Sequence, residues 1–435
     1  MTTPIADFLD LYAQSGTVRG HMPGHKGQYP HDITEIKGAD SLFEARGIIR
    51  ESEANAAGIF GSAHTVYSCG GSTLCIQAMA MLLKRRGVSR IAAVRNCHRS
   101  LINSCALLDM DIDWIYPEYN NSYVGGIADN SRIETVLSQG AGAVWITSPD
   151  YLGNITLMDD IAGLCRRYGA ILAVDNAHGA YLRFIYDDEG RPLHPLYHGA
   201  DICCDSAHKT LPVLTGGAYL HAGISGRFPL VREIKDAMSI FGSSSPSYEI
   251  LRSLDLCNGY LSRHSSYFAH MAEISRKCRE RLSGRFTLCG DEPGKLTVYA
   301  PDSGYTGNEL ADILREKHIE CEYSDKTHLV LMITGLKKDD ISHICDALLS
   351  VEERSPVYVP FDGIAPHEQA MSLRKALLSP AVYVPLAKAA GHISGQTVSL
   401  CPPGVAAVVP GERITGADIS LMEQMRLTHI SVIQP

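Results

Sequence analysis

No CxxC pair occurs anywhere in the sequence, although the chain carries 13 cysteines, and that absence removes the usual basis for a structural zinc or a thioredoxin-type redox site. The cysteine count is odd, the chain is long, and Cys165, Cys203 and Cys204 sit inside apolar runs. The set therefore reads as reduced core residues rather than a disulfide framework. Blocks of one charge sign are also missing. The net charge of -9 is spread along the chain, which favours solubility and argues against a nucleic-acid footprint. No apolar run reaches membrane-spanning length, and the first residues, MTTPIADFLDLYAQ, lack the basic and apolar regions of a secretion signal. A cytoplasmic protein with neither nucleic-acid nor membrane partners is expected.

Aromatic residues make up only 7% of the chain, against 39 glycines and a 45% hydrophobic share over 435 residues. That balance suits α/β layers with close packing of helix on sheet, in two or three domains. From about residue 65 to 225, short apolar runs alternate with helical patterns, the signature of a mostly parallel sheet covered on both faces. Strands are expected at 91–96, 112–116, 143–147, 171–175, 202–205 and 218–221, and helices at 72–86, 132–139 and 158–168. Residues 246–283 read as a long helical connector. A smaller α/β unit follows, with strands at 296–300 and 329–333 and helices at 308–317 and 339–349. The division expected is an N-terminal arm and loop segment (1–60), a large domain with its connector (61–285) and a small C-terminal domain (286–435), whose tail from 350 is rich in Pro and Gly. In the segment RGHMPGHKG, Pro and Gly forbid a helix. The spacing of His21 and His25 is thus no metal-binding face, and no metal site is expected.

Three segments carry chemistry. Lys209 follows the apolar run 200–205, and a lysine desolvated at the end of a buried strand gains nucleophilicity toward an aldehyde. An isolated lysine there also reads as a surface loop residue. Asp175 ends the run Ala170-Ile171-Leu172-Ala173-Val174, where a carboxylate can keep a pyridinium nitrogen protonated; a turn or helix-capping aspartate looks the same. Cys69-Gly70-Gly71-Ser72-Thr73 opens a helical pattern with glycines, hydroxyls and free amides, a phosphate cradle, or in isolation an ordinary N-cap. It is not a Walker A loop, since no Lys follows at the required position.

An aldehyde-reactive lysine, an acid for a ring nitrogen and a helix N-terminus for one phosphate match a single cofactor, pyridoxal 5'-phosphate (PLP). These segments resemble the Orn/Lys/Arg decarboxylase family, group III of the PLP-dependent decarboxylases, with the aspartate aminotransferase fold (fold type I). The resemblance is carried, in family order, by HMPGHKG (21–27), ESE (51–53), GGST (70–73), RNCHRS (95–100), TSPDYLG (147–153), DNAHGAY (175–181), DSAHKTLPVLTGGAYLH (205–221), SSSPSY (243–248) and PPG…PGE (402–412). It implies a mostly parallel seven-stranded sheet with helices on both faces and a smaller C-terminal α/β domain.

The resemblance also implies roles. Lys209 carries the cofactor as a Schiff base, Asp175 pairs with the pyridine nitrogen, Ala177 packs beneath the ring and His98 stacks on its other face. Gly71, Ser72 and Thr73 bind phosphate, joined by Ser206 and His208, and His178 belongs to the same cofactor-binding set. Ser244 or Ser245 reaches the phosphate of a neighbouring subunit, so a homodimer with shared active sites is implied. As isolated residues, His98 and His178 also read as core histidines and the serines as a plain loop. The implied activity is decarboxylation of a basic amino acid, lysine, ornithine or arginine, to its amine. Orientation of the bond to be broken decides the reaction, so an aminotransferase or lyase on another amino acid, or a PLP-binding protein without catalysis, stands as the alternative.

The chain departs from the family at Asn176 and Tyr181, where DEAHGAH is common, and at Gln396 and Cys401, where an acid and an aromatic residue are frequent. Loss of an acid at Gln396 bears on the substrate, and Asp150, where the family often has Thr, is the expected replacement counter-charge. The additional N-terminal receiver-like domain of the large acid-inducible decarboxylases is not expected, and the assemblies it supports are not implied.

Overall fold

The computed structural model describes residues 1–119, 121–361, 363–400 and 402–434. Seven strands, β1 (His64–Ser68), β2 (Arg90–Val94), β3 (Asp111–Ile115), β4 (Ala143–Thr147), β5 (Ile171–Asp175), β6 (Ile202–Asp205) and β7 (Ala218–Ala222), form one sheet in the order β1-β7-β6-β5-β4-β2-β3. β7 runs antiparallel to both of its neighbours, whereas β5 with β6 and β2 with β3 and β4 are parallel. Every residue of β5, β6 and β7 is buried. Since successive side chains point to opposite faces, both faces of these strands are covered. The expected mostly parallel, seven-stranded sheet is thereby found, and the six strands read from apolar runs recur within two residues of their expected ends.

By its contacts the chain divides into two compact units, one of residues 1–83 and 171–270, the other of 84–170 and 271–435. The first holds β1, β5, β6 and β7. The second holds β2, β3 and β4, with a four-stranded antiparallel sheet, order β10-β11-β9-β8, built from β8 (Thr287–Cys289), β9 (Lys295–Tyr299), β10 (Tyr323–Ser324) and β11 (His328–Met332). Its tail adds the pair β12 (Ala381–Pro385) and β13 (His429–Ile433). The tail pair, and the helix Gly416–Gln424 with its Thr415/Asp418 capping box, lie in a stretch that reads only as Pro- and Gly-rich. The connector is two helices, Tyr248–His264 and Ser266–Leu282, parted at Ser265.

Strand β1 has no long apolar run to announce it, because His64 and Thr65 interrupt the pattern. Its neighbour, the helix Ile48–Phe60, lies in a segment expected to be arm and loop. Two residues of ESE lock them together. Glu53 is fully buried, accepts the Tyr67 amide at 3.0 Å and pairs with the Lys235 ammonium at 2.7 Å. Burial raises the Glu53 carboxyl from its ordinary value, and Lys235 opposes the rise. Ser52 bonds the Tyr67 hydroxyl at 2.7 Å, and Asn258 donates to the same hydroxyl at 2.7 Å.

Removing one partner of a buried pair strands the other charge. Lys235→Met should therefore lower unfolding free energy by about 3–5 kcal/mol in urea titrations. The double variant Glu53→Gln/Lys235→Met should recover most of that loss; no recovery would mean that the pair is not the source.

Candidate active site

In the first unit, two strand ends and one helix start bring the expected residues together. Asp175 is the last residue of β5 and is buried; its Oδ1 accepts the Ala177 amide at 3.2 Å. Burial pushes its carboxyl up from the ordinary value, against the pull of Lys209. Ala177 and His178 are buried in the turn that follows. β6 ends at Asp205, and Ser206 leads into a single helical turn, Ala207–Thr210. The Lys209 ammonium lies 3.0 Å from His178 Nε2, which links the two strand ends.

Lys209 itself is exposed, a correction to the expectation of a lysine inside a buried layer. The turn Ala207–Thr210 carries its side chain out of the layer in which Asp205, Ser206 and Ala207 are buried.

The helix Gly71–Arg85 begins at the glycines of GGST. Gly71 has φ +65°, and a Cβ there would meet no protein atom within 4 Å, so the glycine answers a backbone requirement and keeps the helix start open. The Ser206 hydroxyl donates to the Ser72 hydroxyl at 2.7 Å, bringing the strand-end turn to the helix N-terminus, and Thr73 is exposed beside them. The Gly71 amide donates to Gly216 O at 2.8 Å and the His208 amide to Gly217 O at 3.2 Å. Burial lowers the His208 imidazole below its ordinary value. The glycines of TGG fit the same close approach, since a Cβ on Gly217 would lie 2.3 Å from Val213. Ser244 and Ser245 are exposed, in the loop before the helix Tyr248–His264.

In the second unit, His98 caps the helix Arg99–Leu108, its Nδ1 accepting the Ser100 amide at 3.2 Å. A neutral ring with Nδ1 as acceptor carries its proton on Nε2. The ring rests on bare backbone: a Cβ on Gly404 would lie 2.4 Å from its Cδ2 and Nε2, and Arg99 N donates to Gly404 O at 2.8 Å. Arg95 and Glu412, from RNCHRS and PGE, form a buried ion pair at 2.9 Å, with the guanidinium over the Trp114 ring at 4.6 Å. Gly404 and Glu412 are thus residues whose partners the sequence did not reveal. The signal for each was a glycine or an acid repeated inside a motif with no role of its own.

The sequence profile of the Orn/Lys/Arg decarboxylase major domain matches residues 28–284, and that of the C-terminal domain matches residues 365–430. The chain belongs to the Orn/Lys/Arg decarboxylase family. Relatives include the uncharacterized protein YaaO of Bacillus subtilis, 28% identical over 460 residues, 98% of this chain and 94% of the relative. The arginine decarboxylase of the same organism is 28% identical over 462 residues, 96% of this chain and 92% of that one. Among solved structures, the Francisella novicida lysine decarboxylase LdcF superposes with a TM-score of 0.80 at 17% identity, covering 99% of this chain and 81% of that one; this likeness shows the fold alone. Orn/Lys/Arg decarboxylases are PLP-dependent, and this chain is one of these amino-acid decarboxylases. Its residues fit the cofactor: an amine, a buried carboxylate and an open helix N-terminus flanked by two hydroxyls stand within one unit.

Asp150 differs from its expected part as a counter-charge for a decarboxylase substrate. Its carboxylate is 2% exposed and accepts four donors of its own surroundings: Gly126 N at 2.8 Å, Leu152 N at 2.9 Å, Asn154 N at 3.0 Å and Asn154 Nδ2 at 2.7 Å. Those four bonds occupy both oxygens, and burial raises the carboxyl from its ordinary value. The side chain orders the loop instead of facing outward. Gln396 is half-buried, its Oε1 3.5 Å from the Tyr383 hydroxyl. Cys401 lies outside the described residues.

Asp150→Asn turns an acceptor toward two donors. About 1–3 kcal/mol per unsatisfied donor should be lost, read as a fall in Tm, while KM for a basic amino acid stays at the parent value. A large rise in KM without loss of stability would return Asp150 to substrate binding.

Proposed function

We propose that this chain decarboxylates a basic amino acid, with arginine the first candidate, using PLP held on Lys209. The observation that carries the reading is the approach of Lys209 Nζ to His178 at the ends of β6 and β5, beside the buried Asp175. In this reading Lys209 holds the cofactor's aldehyde carbon and Asp175 its ring nitrogen. Gly71, Ser72, Thr73, Ser206 and His208 would hold its phosphate, Ala177 would pack against its ring, and His98 would stack on the ring as the family resemblance implies. PLP supplies an electron sink for the bond broken at Cα.

The residues of this chain supply orientation and proton control. Asp175 is the only group assigned to the ring nitrogen, and a carboxylate in a desolvated site interacts strongly with a cation beside it. His98, with its proton on Nε2, presents a donor on the side away from its own helix. His178 Nε2 accepts a hydrogen bond from the Lys209 ammonium at 3.0 Å and orients the amine. Arginine is placed first because the named arginine decarboxylase aligns over more than nine-tenths of both chains. Half-buried Gln396, neutral where the family often has an acid, argues for measuring neutral-tailed amino acids beside the basic ones.

Borohydride reduction of the purified holoenzyme, followed by peptide mapping, should find the pyridoxyl group on Lys209. Lys209→Ala should release no CO₂ from arginine, lysine or ornithine. A pyridoxyl group on another lysine would overturn the assignment. Turnover of a neutral-tailed amino acid in place of all three would move the reading to a changed specificity at Gln396.

A cytoplasmic homodimer is part of the same proposal. Its support is the loop Ser243–Ser245, which is exposed and lines a cavity beside Gly70 and Thr73 of the helix start, a place where a second copy could share the site. Mixing Lys209→Ala subunits with subunits carrying Ser244→Ala/Ser245→Ala should restore activity that neither variant has alone. A fully active monomer at working concentration would sink this part.

A further inference from the structure

Beneath the strand ends of the first unit lies a buried polar cluster with no part in the function proposed above. Asp205, the last residue of β6, has no exposed surface. Its Oδ2 receives His194 Nε2 at 3.0 Å and His221 Nε2 at 3.2 Å, and its Oδ1 receives Asn176 Nδ2 at 2.7 Å. An ionised carboxylate accepts only, so both histidines must carry a proton on Nε2. The far nitrogen of His221 lies 2.8 Å from the Thr65 hydroxyl, and that of His194 faces the Leu196 amide at 3.5 Å. The Phe60 ring covers both imidazoles, at 4.6 and 5.7 Å between centroids. Burial works against the charge on Asp205, and the two histidines outweigh it, holding the carboxyl below its ordinary value. Burial also lowers His221, in keeping with a neutral ring.

The place of this carboxylate in the chain gives it a second consequence. Asn176 stands between Asp175 and Ala177, and its amide nitrogen on the backbone donates to Cys204 O at 2.9 Å. Asp205 stands directly before Ser206, whose hydroxyl meets Ser72, and four residues before Lys209. One buried side chain thus ties the turn that follows β5 to the turn that follows β6. A fully buried carboxylate held by three donors has little freedom to move, so it fixes the distance between the two turns together with the contact of Lys209 with His178.

We propose that Asp205 and Asn176 are positioning residues for the cofactor, setting the spacing of Asp175 against Lys209 through the hydrogen bond between their side chains. This rests on the assignment of PLP to Lys209 and Asp175. His194, Asp205 and His221 also have the composition of a metal site, with their ligand atoms within 4.8 Å of one another. In this structure the hydrogen bonds to Asp205 occupy Nε2 of both histidines, and the cluster is assigned as a hydrogen-bond node.

The test uses Asn176→Ala, which removes the cross-link and leaves both histidines on Asp205, beside Asp205→Asn, which keeps the shape and removes the charge. The readouts are the PLP dissociation constant, visible circular dichroism of the bound cofactor, Tm of the cofactor-free protein, and metal content of the purified parent. Asn176→Ala should weaken PLP about ten- to a hundredfold, the size of one lost charge-assisted hydrogen bond, and alter the visible dichroism, with a modest fall in the Tm of the cofactor-free protein from the unpaired Asp205 oxygen. Asp205→Asn should do the same with some loss of Tm. Parent-like PLP affinity and dichroism in Asn176→Ala would overturn the proposal, as would a fall in Tm that alone accounts for the weaker binding. One equivalent of metal that is lost in His194→Ala would overturn the hydrogen-bond node. Mapping of the pyridoxyl group in Asn176→Ala separates the two claims: with the group on Lys209 and binding unchanged, only the positioning role fails, whereas a group on another lysine fails the underlying assignment.

Discussion

Strands β5 to β7 bury all of their side chains, which leaves an ionised group its best place where the strands stop. A charged group inside such a strand would be stripped of water on both faces, whereas at the last residue it can meet the free amides of the next turn. Asp175 meets Ala177 N in this way, and Asp205 meets a side-chain donor from the neighbouring turn. The charged groups assigned to the cofactor therefore stand at strand ends, while His221, inside β7, is held there by Asp205 and Thr65. The same constraint explains why the helix Gly71–Arg85 opens on glycines. A helix N-terminus brought against such strand ends offers amides and hydroxyls with little side-chain bulk.

Much of this could be read from the sequence, for reasons that differ from segment to segment. β4, β5 and β6 are short runs that stay apolar up to a polar last residue, the pattern that burial on both faces leaves. Asp175, Ser206 and Lys209 stand at the ends of such runs, so their place at strand ends followed directly. β1 escaped because its polar residues at 64 and 65 are satisfied by tertiary contacts, His221 bonding Thr65. The helix Ile48–Phe60 escaped because its determinants are partners distant in sequence, Lys235 and Tyr67 for Glu53. The exposure of Lys209 was hidden too, since a one-turn helix changes the direction of a side chain without changing any pattern of apolar residues.

The reading of Asp150 shows the limit of arguing from charge alone. An acid next to a Pro and an aromatic residue looks available to a cationic ligand until its surroundings are known. Here four donors within its own loop surround it, and the charge is spent on shaping residues 150–154. Asp205 is the converse case. In the sequence it is merely the residue before a serine, and the histidines that mark it lie 11 and 16 positions away. A histidine inside the apolar strand β7 was the available sign, because a buried imidazole calls for a partner.

The seat of His98 on Gly404 couples two positions more than three hundred residues apart by steric exclusion, beside the hydrogen bond from Arg99 N to Gly404 O. What must be kept is the lack of any atom at one of them, since Gly404 combines φ +75° with a ring 2.4 Å from where a Cβ would stand. Inheritance at the two sites is therefore coupled in one direction. A lineage that gives up the imidazole can still keep the glycine, but one that gains a side chain at 404 has to displace the ring, so the tail carries a record of what stands at 98.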